Sequence, residues 1–449
     1  MKWFYVLALI GVLVVLAACA PAPTPAPTTA PPTQAPAVQP TTAPAAQPTT
    51  APAAATGPIK IGVMAPQTGT LAASGKDMLD GWNLYWTQHG TKVAGREVQT
   101  LIEDDAGNPD TALTKARLLV EQRGVDMIVG NLAANTGLAV ADWAKGNGIP
   151  YFIPIVSADD LTQRARIPNV VRLGGWTSSQ TTHPFGEWAA KQGYKTAVTL
   201  AQDYAFGQET VGGFTQTFTE NGGKVLAQLW NPIGTPDFST YLAQIQSQKP
   251  DVVFVEETGA DCGRFVKAWN DFGLQGKIVL LGNETLVDQS LLRGMGPEAE
   301  GIVSVGKYAE GRDAPETQNF VAEYDKAYKL LPSYYAVNMY TAAQLIAAAI
   351  EKSGGNVSDH AAFVNTVKSI SLANTPLGPI KTDDYGNPIL NVYLRKVVKR
   401  PDGRLWNTVT YTWPNVSQFW TYDLSSYLKQ PVYSRDFQPG FNATDTLKK

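Results

Sequence analysis

Residues 59–65 read Ile59-Lys60-Ile61-Gly62-Val63-Met64-Ala65, and a helical run over about 74–88 separates them from a second β-rich run at 98–103. The pattern repeats without interruption: helix 110–123, strand 126–130, helix 136–146, strand 150–154. Strand and helix in strict succession predict parallel βαβ units with both sheet faces covered. Near-continuous apolar runs such as Met127-Ile128-Val129 fit strands buried on both sides.

A second series begins after residues 170–173. It runs helix 178–192, strand 196–201, helix 207–220, strand 225–230, helix 239–248, strand 251–255, helix 260–272, then strands 278–281 and 301–306. Helices over 316–330, 336–352 and 361–369 follow, and the β-rich segments 390–398 and 406–412 close the pattern. The fold class is therefore α/β, with two doubly wound parallel-sheet lobes. A helical block that comes after the second module predicts that the chain returns to the first lobe, crossing several times, an arrangement suited to hinge closure on a ligand.

Outward from this core, the N-terminus has its own logic. Lys2 leads an apolar run from Trp3 to Val15, followed by Leu16-Ala17-Ala18-Cys19. A short apolar segment ending in small residues reads as a secretory signal, here 1–18. Cys19 is the expected lipidation site, since two or three acyl chains anchor stably where one binds marginally. Residues 19–57 are almost entirely Ala, Pro, Thr and Gln, without a charged or aromatic side chain. Such a segment has no apolar face to bury, so a disordered, polyproline-like stalk is expected. The chain is thus expected outside the cytoplasm, lipid-anchored to the outer face of the bacterial cytoplasmic membrane.

The formal charge of -3 argues against a nucleic-acid partner. Cys19 and Cys262 are the only cysteines, so lipidation leaves no intrachain disulfide. His89, His183 and His360 lack metal-ligand spacing, and no metal or other cofactor is expected. Neither a Gly-x-Ser-x-Gly elbow nor a phosphate-binding Gly-rich loop occurs. The adjacent acids Asp104-Asp105 and Glu256-Glu257 point to opposite strand faces, so neither pair is a ready acid/base couple. An enzyme is not expected, and no residue is assigned a catalytic role.

Several motifs then carry a family likeness. They are Ile59-Lys60-Ile61-Gly62-Val63 leading to Gln67-Thr68-Gly69, Glu103-Asp104-Asp105-Ala106-Gly107-Asn108-Pro109, Tyr204-Ala205-Phe206-Gly207, Gly282-Asn283-Glu284, and Leu377-Gly378-Pro379-Ile380-Lys381 continuing to Gly386-Asn387-Pro388. In this order the chain resembles periplasmic binding proteins of the leucine/isoleucine/valine-binding type, the type I fold. The resemblance implies three crossovers, near Gly174, Lys307 and Lys381. It divides the chain into lobe 1 (58–175 with 308–381), lobe 2 (176–307 with 382–435) and a tail (436–449).

Ligands of open parallel sheets sit beyond the carboxyl ends of the strands. The expected ligand set is Ser74, Ala134, Asn135, Thr136, Ser157 and Ala158 from lobe 1, with Tyr204, Phe206, Thr258 and Glu284 from lobe 2. The turn at Asn135 and Thr136 opens a helix whose N–H groups suit an anion. Glu284 falls where amino-acid binders of this family pair a glutamate with the ligand ammonium. The likeness also has departures: Ala134 stands for a serine, Ser157 for a threonine, Phe206 and Thr258 for tyrosines, and Gly107 and Ala133 for the cysteines of a disulfide. Trp176, Tyr204 and Phe206 are candidate aromatic walls. The implied function is the substrate-binding protein of an ABC importer, which captures a small polar solute and delivers it to a membrane permease. A branched-chain or other amino acid is the first expectation, and an aromatic acid, an amide or urea the alternatives. Ligand sensing for a separate signalling partner is the other use of the same fold.

Overall fold

The structure, a computed structural model, describes residues 57–444 and Leu447. The signal segment, Cys19 and the stalk up to residue 56 lie outside the described residues. Among the described residues no helix is long and apolar enough to cross a membrane, and no cluster of His, Cys, Asp and Glu is arranged to hold a metal ion.

The first sheet contains β1 (Ile59–Ala65), β2 (Lys92–Val93), β3 (Arg96–Asp104), β4 (Met127–Gly130), β5 (Tyr151–Phe152) and β6 (Val170–Val171). Its order is β2-β3-β1-β4-β5-β6. Every pairing is parallel except the small β2/β3 hairpin at the edge. That hairpin was not expected from the sequence, because two residues before Ala94-Gly95 give no alternation to read. Ala94 and Gly95 both adopt positive φ (47° and 78°), as a tight primed turn requires.

The second sheet contains β7 (Thr196–Gln202), β8 (Lys224–Asn231), β9 (Val252–Glu256), β10 (Val279–Asn283), β11 (Val303–Gly306), β12 (Ser371–Leu372), β13 (Ile380–Thr382), β14 (Pro388–Lys399) and β15 (Leu405–Val416). Its order is β12-β13-β14-β11-β10-β9-β7-β8, with β15 paired to β14. The strands β7 to β11 are parallel, and β14 runs antiparallel to β11. Strand β12 and the first two residues of β13 fall within 308–381, yet these strands bond toward β14 rather than to the first sheet.

Between β11 and β12 the chain leaves the second sheet. Helix Tyr334–Lys352 packs along helix Ala72–His89 of the first lobe. The two helices meet at backbone distance: a Cβ on Gly81 would lie 2.0 Å from the Ala336 carbonyl oxygen. Glycine is required there by the close approach. The long helix begins two residues before the expected start, because Ser333 caps it by accepting from the Ala336 N–H at 3.2 Å. The helix expected over 110–123 is α-helical only across Pro109–Arg117 and finishes as a π-helical turn, Leu118–Gln122.

The crossovers are tied to one another. Gly174 takes φ of 72°, and the buried Arg172 beside it donates its backbone N–H to Gly386 O at 2.9 Å and Nη1 to Asn387 Oδ1 at 2.8 Å. Gln180 Nε2 bridges Pro388 O and Val416 O at 3.0 and 2.9 Å. The Gly386-Asn387-Pro388 motif thus meets the first crossover through hydrogen bonds that lack water competition.

Candidate functional site

The carboxyl ends of both sheets converge on a narrow space of about 10 Å³. Five aromatic side chains surround it: Trp176, Tyr204, Phe206, Tyr334 and Tyr335. Leu132 and Ile155 add aliphatic surface, and Ala134, Ser157 and Thr258 complete the wall. No acidic or basic residue is among them. A separate recess of about 290 Å³, lined in part by Trp269, Val279 and Val303, lies at the amino ends of β10 and β11, away from the face where ligands bind in such sheets.

Each wall residue is delivered by an element end. Ala134 opens helix Ala134–Asn147, which has Ala133 as its N-cap and no side-chain cap. Asn135 Oδ1 accepts from its neighbour's N–H, Thr136 N, at 2.9 Å, and Thr136 Oγ1 donates to Ala133 O at 2.7 Å. Both side chains therefore bond within the turn. Ser157 lies in the loop after β5, and its Oγ accepts from Ser178 Oγ at 3.3 Å. Ala158 is buried behind it, its carbonyl accepting from Arg172 Nη2 at 2.8 Å. Tyr204 and Phe206 flank the start of helix Ala205–Glu220, their ring centroids 6.0 Å apart. Thr258 follows β9 and donates its hydroxyl to Gln202 Oε1.

The structure brings Ala134, Ser157, Tyr204, Phe206 and Thr258 together around the space, while Ser74, hydrogen-bonded to the wall residue Tyr335, and Glu284 are not among the lining residues. Ser74 Oγ meets Ser290 Oγ at 3.0 Å, a contact between the lobes. It is one of several: Asp77 pairs with Arg293 at 2.5 Å, Ala260 donates its N–H to Thr70 O at 3.3 Å, and Asp288 Oδ2 accepts from Tyr334 N at 2.9 Å. The lobes are closed on the space.

Glu284 is fully buried and already partnered. Its Oε1 accepts from the backbone N–H groups of Lys307 (3.1 Å) and Tyr308 (3.0 Å) and from Arg395 Nη1 (3.3 Å). Arg395 also donates to Tyr308 O, Glu284 O and Ser304 Oγ. Glu284 Oε2 has no donor among the described residues.

Five wall residues were outside the expected ligand set: the aliphatic Leu132 and Ile155 and the aromatic Trp176, Tyr334 and Tyr335. Trp176 was read as a candidate wall only, while Tyr334 and Tyr335 fell before the expected helix start. Had Ser333 been read as an N-cap, Tyr334 would have stood at the first helical position, at the strand-end face. Trp176 and Tyr334 meet edge to face with centroids 5.1 Å apart, and Tyr334 and Tyr335 lie at 4.0 Å. Behind these rings sits Lys307, 2% exposed, its Nζ 3.2 Å from the Trp176 ring centroid and 4.8 Å from that of Tyr334. Burial holds its ammonium well below the usual lysine range, an effect that Glu284 and Asp288 oppose only in part. Burial raises the phenols of Tyr204, Tyr334 and Tyr335 well above 10, so they serve the site as neutral hydroxyls.

Two parallel-sheet lobes joined by several crossings, with a narrow aromatic-walled space closed between their strand ends, define a hinged solute-binding protein. The comparisons place it more closely. The family model described as periplasmic binding protein matches residues 58–403, and the chain belongs to that family. A curated relative, the Leu/Ile/Val-binding protein homolog 6 of Brucella abortus (strain 2308), is 30% identical over 355 residues, covering 78% of this chain and 90% of the relative. Among solved structures, the solute binding protein of an ABC transporter from Rhodopseudomonas palustris BisB5, in complex with 3,4-dihydroxybenzoic acid, is 31% identical with a TM-score of 0.77, covering 80% of this chain and 98% of that one. An R. palustris solute binding protein in complex with benzoate is also 31% identical, with a TM-score of 0.74 and coverage of 79% and 96%. This chain is accordingly a substrate-binding protein of the ABC-transporter type, in a family of extracytoplasmic solute binders rather than enzymes.

Proposed function

We propose that the solute is a small monocyclic aromatic carboxylate, captured between the lobes and delivered to an ABC permease. One observation carries this reading: five aromatic side chains enclose the space and no carboxylate lines it. An α-ammonium buried there would lack an anionic partner, a costly state. Glu284, the expected partner, is engaged by Arg395 and two backbone N–H groups. An aromatic acid needs flat apolar walls for its ring and donors for its carboxylate. The first N–H groups of helix Ala134–Asn147, with the Ser157 hydroxyl, offer those donors at the positive end of the helix dipole. Two relatives of 31% identity carry benzoate-type acids in their described complexes, which supports the same class.

The amino-acid reading is favoured by the Leu/Ile/Val-binding relative, and one experiment separates the two. Thermal unfolding is followed in the presence of benzoate, 4-hydroxybenzoate, 3,4-dihydroxybenzoate, leucine, valine and urea. A ligand at 100 times its dissociation constant adds about 2.7 kcal/mol. The benzoates are expected to raise the midpoint and leucine to leave it unchanged; a rise with leucine alone would overturn the reading.

Capture works by closure. Ala134 and Ser157 belong to the first lobe, and Trp176, Tyr204, Phe206 and Thr258 to the second, which Trp176 opens, in the boundaries we propose for the lobes. A solute touching all of them favours the closed state only by its differential affinity for that state. We further propose that Cys19 carries the lipid anchor and the stalk keeps the lobes within reach of the permease. Replacing Cys19 with serine is expected to move the protein from the membrane to the soluble fraction with ligand affinity unchanged, and retention in membranes would refute the anchor.

A further inference from the structure

We propose that Lys307 is the specificity-determining cation of the site: it supplies from the protein the positive charge that a zwitterionic solute would bring, and so selects a carboxylate that carries no ammonium. This rests on the aromatic-acid reading above and names the residue that enforces it. Lys307 follows β11, where the chain leaves the second sheet, and its side chain is buried behind the rings that wall the space. Its Nζ has no hydrogen-bond partner among the described residues and lies against the faces of Trp176 and Tyr334, both of which line the cavity. Aromatic faces attract a cation through the ring quadrupole, so the two rings hold the ammonium in place.

The charges around Lys307 balance without a ligand. Its acidic neighbours are Glu284 and Asp288, and its basic ones Arg395 and Arg172. Glu284 is bonded to Arg395, and Asp288 is held by the N–H groups of Ser290 and Tyr334. Neither carboxylate is among the residues lining the cavity, and Lys307 and Arg395 already set two positive charges beside their two negative ones. A second cation brought up to Trp176 would instead meet the field of Lys307, whose Nζ lies 3.2 Å from that ring's centroid, in surroundings of low dielectric. An anion without an ammonium meets the same field as attraction. Discrimination of this kind comes from a repulsive element as much as from new contacts.

The test is calorimetric titration of the wild type, Lys307→Met and Lys307→Gln with benzoate and with the pair phenylacetate and L-phenylglycine, which differ only in the α-ammonium. The wild type is expected to bind benzoate and to prefer phenylacetate to L-phenylglycine by at least 100-fold. Removing the charge is expected to weaken benzoate at least tenfold and to narrow the preference at least tenfold. Lys307→Gln keeps a polar head should the methionine variant not fold, and thermal unfolding verifies each variant. A folded variant with the preference unchanged overturns the role of Lys307 while leaving the aromatic-acid reading standing. A wild type that fails to bind benzoate overturns that reading, and this inference with it.

Discussion

Replacing Arg395 with alanine is expected to lower the unfolding free energy by about 3–5 kcal/mol, the usual cost of stranding one member of a buried ion pair. Arg395 and Glu284 are each fully buried, with Nη1 and Oε1 3.3 Å apart. The pair exists because β14 runs antiparallel to β11 with Ser304 directly opposite Arg395, which brings the guanidinium across to the end of β10. Its five donors reach Ser304 Oγ, Glu284 Oε1 and the carbonyls of Glu284 and Tyr308. Truncation leaves the Glu284 charge on two N–H groups alone and orphans those acceptors. Denaturant unfolding of Arg395→Ala measures the loss, and adding Glu284→Gln is expected to recover a substantial part of it. A loss below about 1 kcal/mol would mean that the pair is not the buried contact described.

Trp176→Ala is expected to cost about 3–5 kcal/mol of stability, as truncation of a fully buried tryptophan does, and to weaken a benzoate ligand by more than tenfold. The two effects have different sources. Stability is lost because Trp176, 1% exposed, packs edge to face on Tyr334 and follows the Gly174 turn. Gly175 adds to the constraint, since a Cβ there would stand 2.8 Å from Pro154 O. Affinity is lost because a flat wall of the cavity disappears and the ring that Lys307 lies against goes with it. Trp176→Phe separates them: it keeps an aromatic face, and its affinity is expected within a few-fold of wild type while some stability is still lost. Equal affinity for Trp176→Ala and wild type, measured where both are folded, would remove Trp176 from the site.

The parallel core was legible because its signals are local. β1, β4, β9 and β10 are apolar runs between helical stretches, and a glance along 59–65 or 251–255 finds them. The strand order and the partners of β14 were not legible, since nothing near Arg395 in sequence indicates that it opposes Ser304, 91 positions earlier. The reading of Glu284 met the same limit: its position beyond β10 is visible in the motif Gly282-Asn283-Glu284, but its guanidinium partner lies 111 positions away. Ser157, Tyr204, Phe206 and Thr258 were accessible because each follows a strand end. Lys307 was visible only as a crossover, because the rings that hold its ammonium come from two other segments, at Trp176 and Tyr334.

The account turns on what the cavity holds, and calorimetric titration of the wild-type protein with benzoate and, separately, with leucine tests it most directly. The account predicts saturable one-to-one binding of benzoate and no heat of binding from leucine. Saturable binding of leucine with no response to benzoate would contradict it.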